Sequence, residues 1–371
     1  RLRGVWALPR APARRDRGLA APARADRGAA TVGRESNRVA VALDAMGGDA
    51  APLEPVRGAL LASGPELSVL LVGDAAQIEA EVVRQAGSVP ASIEIVHAAE
   101  RIAPEEDGAR AVRAKPDSSV ALACRLVGEG RALAAVSAGH TGAMLAAATL
   151  YMRRVPGVIR PAIAVVIPSV RGQVVLLDAG ASAEARPEHY PQYAMMGRLF
   201  AQDVLGIPEP RVGLLSIGEE EGRGNETVQA AYALLRDTPG FVGNVEGRDI
   251  NRGLSDVVVT DGFTGNVVLK ALEGAAWYLM TEMRSAVTRT LPGRVGALLV
   301  RPSLRRMRQH VDPENYGGAY LLGVRGLAVI GHGNSSGEGI ANAVRLAAQG
   351  AREDLVTHFA AARGAERAPS A

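Results

Sequence analysis

The stretch VAVALDAMGGDA (39–50) joins an apolar run to a glycine-rich polar loop, and four further segments repeat this pattern. They are ALAAVSAGHTGA (132–143), QVVLLDAGAS (173–182), RVGLLSIGEEEGRGNE (211–226) and SDVVVTDGFTGN (255–266). Each apolar run lacks polar alternation, which predicts a buried strand of a parallel sheet. Since the loops of such a sheet emerge at the carboxyl ends of its strands, we expect the five loops to meet at one site. Their small polar residues suit close approach of the backbone to an anion.

Strand patterns and helical patterns alternate along the chain, from Val39 to a last predicted helix at 338–349. This alternation predicts an α/β fold, a three-layer α/β/α arrangement with a largely parallel sheet covered on both faces. We expect residues 38–352 to form a single catalytic domain, because no internal linker interrupts them. Residues 353–371 are expected to be a helix end and a tail.

The basic residues are concentrated at the start of the chain. Residues 1–38 hold ten Arg against Asp16, Asp26 and Glu35, a net charge of +7 within a total of +3, so the remainder carries −4. Residues 1–37 are rich in Arg, Ala, Gly and Pro without apolar periodicity, which predicts a disordered tail. A transit peptide or a nucleic-acid-binding arm is the alternative to a non-functional extension. We expect no nucleic-acid partner.

Several classes of protein are disfavoured by what the sequence lacks. No apolar run approaches the roughly 18 residues that a bilayer-spanning helix needs. There is no GxxxxGK[ST] phosphate-binding loop, no GxGxxG in the first strand–helix turn, and no GxSxG or HExxH motif. The single cysteine, Cys124, excludes an internal disulfide and a cysteine-rich metal site, and we expect it to fill the core.

Lysine is scarce, because Lys115 and Lys270 are the only lysines among 42 basic residues. They are predicted to occupy positions where a compact ammonium is needed. The alternative is that these two positions remain lysine by chance. Lys115 precedes Ser118 and Ser119 at a predicted helix start, where hydroxyls and helix amides could cradle a phosphate. An ordinary capped helix with a surface lysine is the other interpretation of that cluster.

The loop before the predicted helix at 266–290 is the strongest candidate for an anion site. Asn266 begins this helix and Lys270 follows four residues later on the same face, beside Thr264. A cation near a helix N-terminus is electrostatically disfavoured, and a bound anion would reverse that effect. The lysine is therefore predicted to bind an anionic ligand.

Two other loops leave alternatives open. Ser137, His140 and Thr141 stand between a strand and a helix start, where His140 could contact an anion, protonate a leaving group, or serve as a structural hydrogen-bonding group. The EEEGRGNE loop (219–226) clusters carboxylates that could bind Mg²⁺, pair with Arg223, or cap the helix near 225.

The chain resembles the PlsX-type phosphate acyltransferases of bacterial phospholipid synthesis. The stretches that carry the resemblance lie in the family's order over about 44–349: LDAMGGDAAP (43–52), VRAKPDSSVALA (112–123), VSAGHTGAML (136–145), GLLSIGEEEGRGNE (213–226), GNVEGRDI (243–250), DGFTGNVVLKALEG (261–274), YGGA (316–319) and HGNSSGEGIANAVR (332–345). Four positions depart from the family's usual residues, namely Ala50, His140, Tyr320 and Asn334. Ala50 makes a general base at that position untenable.

The resemblance implies transfer of a long acyl chain from acyl carrier protein to inorganic phosphate. It also implies a homodimer in the cytoplasm, peripheral contact with an anionic membrane surface, and a fold akin to isocitrate dehydrogenase and the phosphotransacetylases. No cofactor and no metal are expected. A phosphotransacetylase-like enzyme that uses acyl-CoA, or a non-catalytic membrane-bound scaffold of lipid synthesis, are the alternatives, and a dehydrogenase on the same fold is a weaker one.

The predicted reaction needs neither a strong base nor a protein nucleophile, because phosphate itself attacks and a thiolate leaves. The protein must hold the anion beside the thioester carbonyl and stabilise the oxyanion. The predicted catalytic residues are Lys270, Asn266, Lys115 and His140. The predicted phosphate- or substrate-binding residues are Asp44, Gly47, Gly48, Asp49, Ser118, Ser119, Ser137, Thr141, Gly142, Gly224, Asn225, Asp261, Thr264 and Gly265. Among these, Asp44, Asp49 and Asp261 are expected to orient loops.

A membrane-contacting segment is predicted at residues 275–312. From Trp277 to Arg308 the chain carries seven Arg and one Glu among Leu, Met and Val, interrupted by Pro292 and Pro302. This composition predicts a basic amphipathic helical hairpin suited to anionic lipid. A pair of helices that covers the core or forms a dimer contact is the alternative.

Overall fold

The computed structural model describes residues 38–290, 292–297, 299–302 and 318–367. The predicted tail at 1–37 and part of the predicted hairpin, residues 303–312, lie outside the described residues. Eleven strands are present in the described chain: β1 Val39–Asp44, β2 Leu67–Gly73, β3 Ile93–His97, β4 Ala134–Ser137, β5 Ala162–Ser169, β6 Gly172–Leu177, β7 Val212–Leu215, β8 Phe241–Val245, β9 Val257–Val259, β10 Ala319–Leu322 and β11 Leu327–Ile330.

The described helices follow the predicted alternation. They are α1 Leu53–Ala62, α2 Ala75–Ala86, α3 Gly108–Ala114, α4 Ser119–Gly128, α5 Thr141–Ala147, α6 Tyr190–Asp203, α7 Glu226–Leu235, α8 Gly247–Ile250, α9 Gly262–Thr288, α10 Gly337–Arg352 and α11 Leu355–Arg367. A π-helical turn, Ala148–Met152, continues α5, and a 3-10 turn, Pro187–His189, precedes α6. Residues 292–297 and 299–302 are also helical.

All eleven strands belong to one sheet, in the order β3-β2-β1-β4-β11-β10-β5-β6-β9-β7-β8. Seven of the ten neighbouring pairs are parallel, which confirms the predicted α/β fold with a largely parallel sheet. The three antiparallel pairs are β11–β10, β10–β5 and β5–β6, and they lie side by side in the middle of the sheet.

These three reversals change the way in which the five glycine loops approach one another. Three successive antiparallel pairings make β6, β9, β7 and β8 run opposite to β3, β2, β1, β4 and β11. The carboxyl ends of β1 and β4 therefore point in one direction, and those of β6, β7 and β9 point in the other. The register nevertheless aligns the ends of both blocks in one row across the sheet, which runs through Leu43, Val136, Val329, Tyr320, Ala164, Leu177, Val259 and Leu214. The strand-end rule applies to each parallel block separately.

Two apolar clusters cover the two faces of the sheet, as a three-layer fold requires. Along β1, Val41 and Leu43 belong to one cluster and Ala42 to the other, because successive side chains point to opposite faces. The first cluster includes buried residues of α1, α2, α6, α7, α10 and α11. The second includes buried residues of α3, α4, α5 and α8, and apolar residues of α9 pack against it.

The chain after residue 352 differs from the expected helix end and tail. It continues as α11, whose Leu355 and Phe359 are at most 1% exposed and belong to the first apolar cluster. The sequence signal is weak because only a few apolar residues of this helix face the core.

Two simpler expectations concern the core and the membrane. Cys124 is fully buried in α4, as expected, and burial raises the pKa of its thiol. Within the described ranges, no helix combines the length and the apolar character that a bilayer crossing requires.

Candidate active site

Asp44 is the centre of a buried polar cluster at the carboxyl end of β1. Its carboxylate accepts a hydrogen bond from the Ser137 hydroxyl at 2.7 Å and another from the Met46 amide at 3.1 Å. Burial raises the pKa of Asp44, while the hydroxyls of Ser119 and Ser137 act in the opposite direction. The cluster thus connects the ends of β1 and β4 with the start of α4, and the carboxylate holds these loops together.

The glycines after Asp44 let three loops approach one another closely. A methyl group on Gly47 would lie 2.6 Å from Asp44 Oδ2 and 2.9 Å from the Gly139 amide, so a side chain does not fit there. Gly48 adopts a φ of +102°, which favours glycine. The Asp49 amide then donates to the Gly333 carbonyl at 2.7 Å. The loops after β1, β4 and β11 therefore lie together at one edge of the sheet.

His140 caps the N-terminus of α5 and is fully engaged in hydrogen bonds. Its Nδ1 accepts from the Ala143 amide at 3.2 Å, and its Nε2 lies 2.9 Å from the Glu106 carbonyl oxygen. Nδ1 must be unprotonated to accept and Nε2 must carry the proton to donate, so the ring is a neutral structural group. This geometry favours the structural alternative over the predicted catalytic role. Gly142 lies under the ring, and Thr141 is exposed beside it.

The side chain of Lys115, which directly follows α3, bonds back to the loop that precedes this helix. Its ammonium contacts the Glu106 carboxylate at 2.7 Å and donates to the Arg101 carbonyl at 3.2 Å. The Ser118 hydroxyl donates to the Lys115 carbonyl at 2.8 Å, and Ser118 and Ser119 are at most 2% exposed. The residues of the predicted phosphate cradle are close together, but their polar groups are bonded to protein partners in this structure.

The Lys115–Glu106 pair gives a pH-dependent prediction. The hydrogen bond from Lys115 holds the pKa of Glu106 below its ordinary value of 4.5. A depressed carboxyl pKa stabilises the fold above the unfolded-state value, and this contribution is lost as the pH falls through the folded-state value. We expect wild type to unfold at a higher temperature than Glu106→Gln at pH 7, with the difference shrinking below about pH 4.5. A temperature difference that is constant between pH 3 and pH 7 would contradict the pairing.

A second buried carboxylate organises the loop after β6, in the parallel block that runs in the opposite direction. Asp178, after β6, is 0% exposed and accepts hydrogen bonds at 2.9–3.1 Å from the amides of Ile163, Gly180, Ala181 and Ser182. Burial raises its pKa, and the four amides act in the opposite direction. This residue is absent from the predicted site residues. A signal existed, because Leu-Asp-Ala ends both β1 (43–45) and β6 (177–179).

The start of α9 packs directly on the Asp178 loop. A methyl group on Gly262 would lie 2.6 Å from Asp178 Oδ2, and one on Gly265 would overlap the Asp178 carbonyl oxygen. Asp261 caps the helix, since its carboxylate accepts from the Thr264 amide at 2.8 Å and from the Thr264 hydroxyl at 2.7 Å. The two Thr264 donors that were predicted to bind an anion are therefore bonded to the Asp261 carboxylate.

Asn266 and Lys270 occupy the exposed side of α9. Asn266 lies against Gly180 of the Asp178 loop. The Lys270 ammonium pairs with Glu273 at 2.8 Å, and the other oxygen of Glu273 lies 3.6 Å from His332 Nε2. Because His332 follows β11, this network connects α9 to the edge that holds Asp44 and Ser137. Glu273 and His332 are absent from the predicted site residues, although both stand in stretches that carry the family resemblance.

The loop after β7 pairs its carboxylates with arginines. Arg223 contacts Glu220 at 3.0 Å and Arg236 contacts Glu221. Asn225 caps α7 through the Val228 amide at 2.9 Å, beside Gly224 with its φ of +99°. The arginine-pairing and capping alternatives are therefore the ones observed. In the part of the chain that the structure describes, no cluster of three or more His, Cys, Asp or Glu residues could hold a metal ion.

Solved structures with similar folds include two phosphotransacetylases. The EutD phosphotransacetylase from Staphylococcus aureus superposes with a TM-score of 0.54 at 16% identity, over 85% of this chain and 95% of that one. A phosphotransacetylase from Streptococcus pyogenes gives 0.55 at 14% identity, over 85% and 94% of the two chains. At this identity the likeness concerns the fold, and it agrees with the predicted phosphotransacetylase-like architecture.

Sequence relatives are far closer. A phosphate acyltransferase from Heliobacterium modesticaldum is 48% identical over 318 residues, which cover 85% of this chain and 95% of the relative. A phosphate acyltransferase from Thermus thermophilus is 51% identical over 306 residues, covering 82% and 92%. The model of the family described as fatty acid synthesis protein matches residues 39–358. The chain therefore belongs to this family, the PlsX-type phosphate acyltransferases that its motifs resemble.

Proposed function

We propose that the protein transfers a long-chain acyl group from acyl carrier protein to inorganic phosphate, for use in phospholipid synthesis. The observation that carries the proposal is the match to phosphate acyltransferases at 48–51% identity over 92–95% of their length. The family match over residues 39–358 spans all five glycine loops. An acyltransferase of this kind produces an acyl phosphate and a free thiol.

The chemistry suits a site made of loops without a protein nucleophile. Phosphate attacks the thioester carbonyl, and a thiol of ordinary pKa, about 8.5, is an adequate leaving group. Cys124 cannot serve as a nucleophile, because it is fully buried and burial raises the pKa of its thiol. The task of the protein is then to hold the two reactants together and to stabilise developing negative charge.

Lys270 and Asn266 are proposed to contact phosphate or the oxyanion. The Lys270 side chain is 55% exposed, so its ammonium can reach a ligand in solvent while Glu273 holds it. Asp44, Ser119 and Ser137 are proposed to order the neighbouring loops, and the remaining predicted binding residues are proposed to shape the phosphate site through their backbones.

Lys270→Ala tests this assignment. Losing one ammonium from a partly exposed anion site should raise the KM for phosphate about tenfold, which corresponds to about 1.4 kcal/mol. Lys270→Arg keeps the charge and should recover part of the loss. Steady-state rates at varied phosphate concentration measure both variants. Unchanged KM and kcat in Lys270→Ala would remove Lys270 from the site.

The acyl donor is tested by direct competition. Purified enzyme is given phosphate with either palmitoyl–acyl carrier protein or palmitoyl-CoA, and the thiol released is measured. The proposal expects a clearly higher kcat/KM with the carrier protein. A preference for the CoA thioester would instead favour a phosphotransacetylase-like enzyme, and a protein inactive with both would favour a scaffold.

Peripheral membrane contact is proposed for the exposed C-terminal half of α9 and the helical residues after it. Trp277, Tyr278 and Leu279 are 58–71% exposed, and Leu299 is 79% exposed. These residues accompany Arg284, Arg289, Arg294 and Arg301, a combination that suits the anionic surface of a cytoplasmic membrane leaflet. The same apolar exposure also supports a homodimer. Analytical ultracentrifugation would measure its mass.

Flotation with vesicles that contain anionic phospholipid tests the membrane contact. Wild type should float with the vesicles, and a triple variant Trp277→Ser, Leu279→Ser, Leu299→Ser should remain in the dense fraction. Substituting Leu150 by Ser, at a 50% exposed position outside this segment, is the matched control. Equal flotation of wild type and the triple variant would contradict the proposal.

A further inference from the structure

Three histidines follow strands at the edge of the sheet that holds Asp44. His97 ends β3 and accepts a hydrogen bond from the Ala75 amide at 3.3 Å through Nδ1. His140 uses both ring nitrogens to cap α5 and to hold the Glu106 carbonyl. His332 differs, because its side chain is 39% exposed and its contact is with a carboxylate. Of these three imidazoles, it is the one placed to exchange a proton with a bound substrate.

Glu273 connects His332 to the lysine of the proposed site. One carboxylate oxygen contacts the Lys270 ammonium at 2.8 Å, and the other lies 3.6 Å from His332 Nε2. The Glu273 side chain is 25% exposed, so this carboxylate is shielded more than the two groups it bridges. An ion pair with His332 forms when the imidazole is protonated, and this arrangement directs Nε2 to Glu273 and leaves Nδ1–H for another acceptor.

The position of His332 places this nitrogen near the loops of the proposed site. The carbonyl of the next residue, Gly333, accepts a hydrogen bond from the Asp49 amide at 2.7 Å, and this bond connects the β11 loop to the β1 loop. Lys270 approaches the same loop from α9 through Glu273. An acyl donor bound between these loops would meet a lysine and a histidine held by one carboxylate.

We propose that His332 protonates the departing thiolate and that Glu273 is a positioning residue for His332 and Lys270. This inference rests on the proposed acyl transfer to phosphate. A phosphate oxygen forms a bond to the thioester carbonyl carbon, and the C–S bond breaks with its electron pair on sulfur. The sulfur takes the proton from Nδ1 of the imidazolium, which leaves neutral imidazole, acyl phosphate and free thiol. Solvent returns the proton to His332.

The choice of leaving group distinguishes a His332 that donates a proton from a His332 that is only structural. A thiol more acidic than the carrier's departs without help, so an acid catalyst matters less for it. General acid catalysis contributes about 100-fold or more. We expect His332→Gln to lower kcat/KM about 100-fold with palmitoyl–acyl carrier protein and less than about threefold with an S-aryl thioester of palmitate. Glu273→Gln should show the same donor dependence with a smaller loss, about tenfold.

The chain supplies a matched control. His358 Nδ1 lies 2.8 Å from Asp203 Oδ2 on other helices, so His358→Gln removes a histidine–carboxylate pair outside the proposed site. Its kcat/KM should equal that of wild type with both donors. Thermal unfolding checks that each variant is folded. If His332→Gln does not fold, His332→Asn takes its place.

The outcomes distinguish this inference from the proposed function. Equal losses on both donors, or no loss on either, would overturn the role of His332 while wild type still forms acyl phosphate. A wild-type enzyme that transfers no acyl group to phosphate from either donor overturns the proposed function and this inference with it.

Discussion

Replacing Gly265 by Ala is expected to lower the free energy of unfolding by about 3 kcal/mol or more. A methyl group at this position would overlap the carbonyl oxygen of Asp178 and lie 3.0 Å from its carbonyl carbon. Both atoms belong to backbone that the Asp178 carboxylate holds in place, so neither can move aside cheaply. The start of α9 would have to shift away from the β6 loop, and acyl transfer should be lost with it.

Gly274 provides the control on the same helix. Nothing lies within 4 Å of the position that its methyl group would take. Since alanine is a better helix former than glycine, Gly274→Ala should stabilise the protein by about 0.5–1 kcal/mol. Urea denaturation of the two variants and wild type measures the contrast. A Gly265→Ala protein as stable as wild type would show that α9 does not pack on the Asp178 loop in this way.

Replacing Asp178 by Ala is expected to destabilise the protein by about 4 kcal/mol or more, because four amides lose their acceptor. Each buried donor left unpaired costs about 1–3 kcal/mol, and solvent entering the gap offsets part of the sum. The β6 loop would lose its order, and Asn266 would lose the surface it lies against. Phosphate-dependent turnover should therefore fall with stability.

Asp178→Asn separates charge from shape. The asparagine keeps one acceptor oxygen but directs an NH₂ group at amides that also donate, so it should recover only a small part of the lost stability. Asp107→Ala is the matched control, since Asp107 caps α3 through the single amide of Arg110 and should cost much less. Denaturation midpoints with unchanged slopes measure these differences. A loss in Asp178→Ala no larger than that in Asp107→Ala would contradict the account of this loop.

The fold could be predicted from sequence because its signals are local. Apolar runs, glycine loops and helical patterns mark β1, β4, β6, β7 and β9 and the helices after them. The relative direction of the two parallel blocks has no such signal, since it depends on how β5, β6 and β10 pair with strands far along the chain. The register of these strands brings the carboxyl ends of both blocks to one row across the sheet, although the blocks run in opposite directions.

The site was predictable to the level of loops but not of partners. Lys115, His140 and Thr264 have the residue types that bind anions, and in the folded chain they bond to protein groups instead. Their partners, such as Glu106 for Lys115, are fixed by tertiary contacts that spacing does not reveal. Asp178 carries a sequence signal in its resemblance to the Asp44 segment, whereas the Glu273–His332 contact brings together residues from distant parts of the chain.

The most direct test of the proposed function is the stoichiometry of the reaction. Purified protein is mixed with palmitoyl–acyl carrier protein, with and without inorganic phosphate, and hydroxylamine traps any acyl phosphate as hydroxamate. We expect thiol release that depends on phosphate, with one hydroxamate formed for each thiol released. Thiol release at the same rate without phosphate, or release without hydroxamate, would contradict it.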